Sequence, residues 1–278
     1  MTSATDHSVA GDNDSWMLFE RLGLSGCPLV VLRRIGNPLV DRAVSENFVT
    51  IVHCKADAAL VNDVGMPQHS DSLYPFEEEL AQELDVLGAG ALHAASVTGE
   101  AERRIVIAHA SPVAFEPILR RFTIPGYSLS ASSSADRAAL IDLITPTAIE
   151  HQLNSDMSVI TNLERHGDDG HASRKTDFWF YGATSQLGEL VTDLGPWGFS
   201  ADHWLEDPES VVLTCETSVD LATFRELTPI LVGMADRHGV TYDGWETFIV
   251  RADAPATQLP SQPKPQSMLS KLFGAKKN

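Results

Sequence analysis

The residues able to do chemistry are sparse and scattered. The densest group is His166-Gly167-Asp168-Asp169-Gly170-His171, whose two imidazoles and two carboxylates are types that ligate divalent cations. Its two glycines and uniform polarity also describe a solvated loop, and we read it that way. Glu77, Glu78 and Glu79 offer neighbouring carboxylates, but their place in a helical pattern makes them a solvated face. His53 and His109 lie in strand-like sequence and read as face or core residues. Cys27, Cys54 and Cys215 have no metal or redox spacing and read as reduced thiols packed as small apolar groups. There is no glycine-rich phosphate loop, no GxSxG elbow and no histidine pair at metal spacing. No pattern joins an acid, a base and a nucleophile, so the expectation is a protein without catalytic residues, metal or cofactor.

Recognition chemistry is better represented. Tyr242-Asp243-Gly244-Trp245-Glu246 combines two aromatics with two acids around a glycine that permits a turn or bulge. Alternation sends Trp245 and Glu246 to opposite faces of a strand. Asp177-Phe178-Trp179-Phe180-Tyr181 is a second aromatic run with an acid at its start. Trp and Tyr are favoured anchors in protein interfaces, so Asp177, Tyr242, Asp243, Trp245 and Glu246 are the candidate partner-binding residues. The competing role for Trp245 is core packing, with Tyr242 and Asp243 shaping the turn. Trp204 is read as a packing residue.

These residues need elements to position them. Residues 27–34 and 47–54 read as strands about a Gly36-Asn37-Pro38 turn. Leu73, Phe76, Leu80, Leu84 and Leu87 mark a helix that Gly88 and Gly90 stop. Strands at 91–97 and 103–110 form a hairpin through Thr98-Gly99-Glu100, followed by a short helix near 112–121 and a strand near 126–131. The next helical stretches are 136–143 and a run from Pro146 through Leu163, with a break expected near Asn154-Ser155-Asp156. Lys175 to Tyr181 is a strand. Thr184 caps a helix through Leu187, Leu190, Val191 and Leu194. Strands at 199–205 and 211–217 flank Asp207-Pro208. Asp220 caps a last helix that Pro229 is expected to kink, and 247–251 is the final strand. From Lys175 the order is βαββαβ, the ferredoxin-like arrangement. The expected fold class is α+β: two α/β sandwich domains, 1–135 and 136–252, with the second ferredoxin-like. Residues 253–278, with four prolines and then lysines, read as a flexible linker and basic tail.

Charge narrows the class of partner. Net charge is −18 over 278 residues. Residues 136–252 carry 7 basic and 20 acidic side chains, a balance of −13, while the segment from Asp253 carries 4 and 1, a balance of +3. An acidic body repels phosphate, which argues against direct nucleic-acid binding and for a protein partner with a basic surface. No apolar run reaches the ~20 residues of a membrane span. Residues 1–14 lack the basic and apolar parts of a signal peptide, so the expected compartment is the cytoplasm.

Four stretches together carry a family likeness. "TPTAIEHQLNSDMSVITNLERHGDD", "RKTDFWFY", the helix ending in "WGF", and "YDGWE" resemble the regulator of ribonuclease E activity B family over about residues 145–252. The strand motif reads Asp-Phe-Trp where that family often has His-Trp or His-Phe. The first domain, through "NFVTIVHC", "GMPQHSDSLYPFEEEL" and "VTGEAERRIVIAH", resembles a domain family of unknown function often fused ahead of it. The resemblance implies a ferredoxin-like domain that inhibits the endoribonuclease through its non-catalytic scaffold region. The alternative is an enzyme or small-molecule sensor with a site between the two domains, where Asp177 or His109 would converge with other polar groups.

Overall fold

A computed structural model of the chain describes residues 15–23 and 25–250. The expected linker and basic tail lie outside the described residues. The chain divides into two units at Pro146/Thr147, and every strand pairing among the described residues is antiparallel. Helix and antiparallel sheet together make the α+β class.

In the first unit the strands are β1 (Ser15–Leu22), β2 (Pro28–Ile35), β3 (Phe48–Ala56), β4 (Leu92–Gly99), β5 (Glu102–His109) and β6 (Tyr127–Ser133), in sheet order β1-β2-β4-β5-β3-β6. Helices cover both faces, which is why β5 buries both alternating sets. Val106 and Ala108 pack towards α1 (Pro38–Glu46) and α4 (Arg137–Ile144). Ile105 and Ile107 pack towards α2 (Tyr74–Val86) and α3 (Phe115–Leu119). The Gly36-Asn37-Pro38 turn opens α1, because the Asn37 side chain accepts from Leu39 N at 3.1 Å and Pro38 fits the first helical turn. Glu77 is not solvated. It turns inward to meet the buried Arg103 guanidinium at 2.6 Å. His109 is buried, with Nε2 at 2.9 Å from Thr50 Oγ1 and Nδ1 at 2.7 Å from the Ser111 carbonyl. Burial pushes the Cys54 thiol up to about 12, so it stays protonated.

The second unit comprises α5 (Ala148–Arg165), β7 (Arg174–Tyr181), α6 (Thr184–Leu194), β8 (Ser200–Glu206), β9 (Glu209–Thr217), α7 (Leu221–His238) and β10 (Thr241–Thr247). The sheet order β10-β7-β9-β8 is the ferredoxin-like one, with β7 and β9 central. Thr147 and Glu150 close a capping box on α5, and α5 runs unbroken through Asn154-Ser155-Asp156. Ala183, not Thr184, occupies the cap of α6. Thr184 instead donates its N–H and hydroxyl to Glu209 at 2.6 and 2.7 Å. The helix α7 continues through Pro229 as one element. The final strand is Thr241–Thr247, so the Tyr242–Glu246 motif lies within the strand and not beside it.

The unit boundary falls after α4, where the sequence pattern placed it before. Leu140 and Ile144 are buried in the first unit's core, and Arg137 donates to the carbonyls of Ser45 and Asn47 at 2.8 and 2.6 Å. Two such side chains contribute ~1.5–3 kcal/mol each on burial. A fragment ending at residue 135 should therefore unfold in urea with about 3 kcal/mol or more less stability than one ending at 146. Equal midpoints would show that α4 is dispensable to the first unit.

Candidate protein-binding face

Strand β7 alternates strictly. Phe178 and Phe180 are fully buried under the helices, which sends Lys175, Asp177, Trp179 and Tyr181 to the opposite, uncovered face. The ladder extends that face sideways. Asp177 stands opposite Glu246 of β10 and Thr214 of β9, and Trp179 stands opposite Val212, which pairs with His203 of β8. The Trp179 and His203 rings meet edge to face over Val212, 6.0 Å between centroids. Lys175 Nζ lies 3.2 Å from Asp202 and 3.5 Å from Asp177. Its hydrogen bond to Asp202 raises its pKa, so it stays charged. Leu205 adds an exposed apolar side chain at the β8 edge.

The five candidate residues fall into two groups. Asp177, Asp243 and Glu246 reach the surface. Tyr242 and Trp245 face the helices: Tyr242 stacks on Phe180 at 5.0 Å, and Trp245 stacks on Phe224 at 4.4 Å. Trp245 is 8% exposed, and its Nε1–H donates to Asp156 Oδ1 at 2.9 Å. Residues 242 and 245 both pointing inward breaks the period of two. The register shift between Tyr242 and Gly244 absorbs the extra residue, and Gly244 takes φ +112 there.

The side chain that organises this arrangement was not among the candidates. Asp156, in the middle of α5, is 1% exposed. It accepts from Trp245, from Gln152 Nε2 at 3.0 Å and from Thr228 Oγ1 at 2.6 Å, which ties α5 to α7 and β10. Desolvation raises its pKa against the lowering effect of those three donors. A sequence signal existed, since Asp156 occupies the apolar stripe that joins Ile149, Leu153, Ile160 and Leu163. Trp179, His203 and Leu205 were also unassigned. Period-two alternation from Asp177 points to Trp179, whereas His203 and Leu205 join it only through the β8–β9 register.

The His166–His171 loop has a structural occupation. Asp168 and Arg174 form a buried two-pronged pair, with Arg174 Nη2 to Asp168 Oδ1 at 2.8 Å and a second contact from Nη1 to Oδ2. Asp168 also accepts the N–H groups of Gly170 at 3.0 Å and Val250 at 2.7 Å. Hydrogen bonding to Arg174 holds this carboxyl down at about 2. His166 Nδ1 contacts the Asn162 carbonyl, and His171 faces Asp220. Among the described residues no group of three or more His, Cys, Asp or Glu side chains is placed to hold a metal ion, and no helix is long and apolar enough to cross a membrane.

Residues 153–247 match the family model for regulator of ribonuclease activity B. The matched domain begins inside α5 and closes with the last residue of β10, so it contains Asp156 with its donors Thr228 and Trp245, the complete four-stranded sheet and both crossover helices. It is the stretch on which the sequence likeness rests, and the first unit lies outside it. The family is one of regulators of ribonuclease activity. No curated protein matches the chain.

Two measurements test the supports of the face. Asp156 has a folded pKa above its unfolded value, so its contribution to stability is complete below about pH 3.9 and is lost as pH rises through the raised folded value. Asp156→Asn removes that loss, and the variant should be at least as stable as the parent at pH 7, with a flatter stability–pH curve on the acidic side. Arg174→Met leaves Asp168 buried without its cation and should cost about 3–5 kcal/mol in urea unfolding of the second unit. A cost under 1 kcal/mol would mean the pair is solvated in solution.

Proposed function

We propose that the chain is a non-catalytic, cytoplasmic regulator of RNA decay. Its second domain docks a basic protein surface, such as that of a ribonuclease E-type enzyme, on the uncovered face of its sheet. The observation that carries this reading is the Asp177–Glu246 pair. These acids are direct neighbours across the β7–β10 ladder, an arrangement that costs a sheet stability. Lys175 offsets it only in part, at 3.5 Å from Asp177. A basic partner side chain would remove the repulsion on binding, and Asp243 at the bulge extends the acidic rim. Trp179 supplies a ring for a guanidinium or ammonium group. Tyr242 and Trp245 act from beneath, since they hold the bulge that presents Asp243 and Glu246. The match to a family of ribonuclease regulators supports the same reading.

The test is calorimetric titration of the chain against the scaffold region of a ribonuclease E-type enzyme over a range of salt. Exposed charges contribute ~0.3–1 kcal/mol each. The double substitution Asp177→Asn, Glu246→Gln should therefore weaken binding about threefold to thirtyfold and reduce its salt dependence. Parental affinity in the double variant, or no binding by the parent, would refute the proposal.

A further inference from the structure

The chain leaves the described fold at one end of this sheet, held by Arg174 and Asp168 on the side away from the acids. Beyond Thr247, Arg174 Nη1 donates to the Phe248 carbonyl at 3.2 Å and the Val250 N–H donates to Asp168 at 2.7 Å. Thr247 Oγ1 donates to the Lys175 carbonyl at 3.0 Å. The exit is thus fixed at the end of the sheet where Lys175, Asp177, Glu216 and Glu246 gather. From Asp253 onward the composition differs from that of the rest of the chain. This stretch has four lysines, Lys264, Lys271, Lys276 and Lys277, and one acid, Asp253, and its Met268, Leu269, Leu272 and Phe273 follow a helical sequence spacing. That segment carries +3 against −13 for residues 136–252.

Resting on the reading of the face as a docking site, we infer that residues 264–277 are its internal occupant, a basic and apolar segment that competes with the partner. The chemistry matches on both counts. The lysines complement Asp177, Asp202, Glu216 and Glu246, and the apolar side chains complement Trp179 and Leu205. Reach is ample. Four strands span ~15 Å at ~4.8 Å per step, while the 13 residues from 251 to 263 extend to ~40 Å. Tethering of this length gives an effective concentration in the millimolar range, so even weak contacts keep the face occupied until a tighter ligand displaces the segment.

The test uses a fluorescein-labelled peptide of residues 264–278, with binding read by anisotropy. A chain ending at Ala252 should bind it saturably, more weakly as salt rises. The full chain should bind it at least tenfold more weakly, because its own segment competes. In the shortened chain, Asp177→Asn with Glu246→Gln should weaken peptide binding, as should Trp179→Ala. The carboxylate pair decides the matter if loss of the ring unfolds the domain. Equal affinity for the two chain lengths, no binding to the shortened chain, or binding untouched by the carboxylate substitutions would overturn the inference. The calorimetric titration with the ribonuclease scaffold is independent of these outcomes, so self-occupation can fail while the docking face stands.

Discussion

A carboxylate buried without a cation ties three elements of the second domain together. Asp156 has three donors, from the indole of Trp245, the hydroxyl of Thr228 and the amide of Gln152. In a low-dielectric interior each unmade bond of this kind leaves a polar group unpaired, at a cost of ~1–3 kcal/mol. The three donors therefore hold α5, α7 and β10 in one mutual arrangement. The β-bulge is a consequence. To bring the Trp245 indole inward while Tyr242 also faces the helices, β10 must carry one residue more than its partner strand, and Gly244 takes the positive φ. A one-residue slip without the bulge would turn Trp245 out and Glu246 in. The acids of the uncovered face are thus placed by a hydrogen-bond network on the covered side.

A second buried carboxylate in the same domain is handled in the opposite way. Asp168 is paired with Arg174, and its pKa is pushed down to about 2. The pKa of Asp156, served by neutral donors alone, is raised. The difference reflects location. Asp168 fastens the loop before β7 and the backbone after β10, where a guanidinium can reach several carbonyls and carboxylate oxygens at once. Asp156 lies where α5 meets α7 and β10, beside the stack of Trp245 on Phe224. One carboxylate fastens the end of the sheet and the other joins β10 to α5 and α7. Between them lie the four strands whose uncovered face carries Lys175, Asp177, Trp179 and Glu246.

Much of this was legible in the chain itself. Helical spacing identified α2, α6 and α7, and a run of aromatics identified the strand β7. The order of elements from Lys175 identified the ferredoxin-like sheet, because each signal is local and depends on a repeat of two or of 3.6 residues. The strongly acidic second domain and the basic final segment are likewise properties of composition. What local patterns could not decide was the partner of each polar side chain. Asn154-Ser155-Asp156 looks like a helix break until Trp245 and Thr228, 89 and 72 residues further on, supply the donors that make an inward aspartate tolerable. Glu77 looks solvated until the strand β5 places Arg103 beneath it. The helix α4 looks like the start of the second domain until Leu140 and Ile144 find the first sheet. Periodicity tells a side chain which way to face. Only the folded chain decides what it meets there, since burial of charge is governed by contacts between residues far apart in sequence.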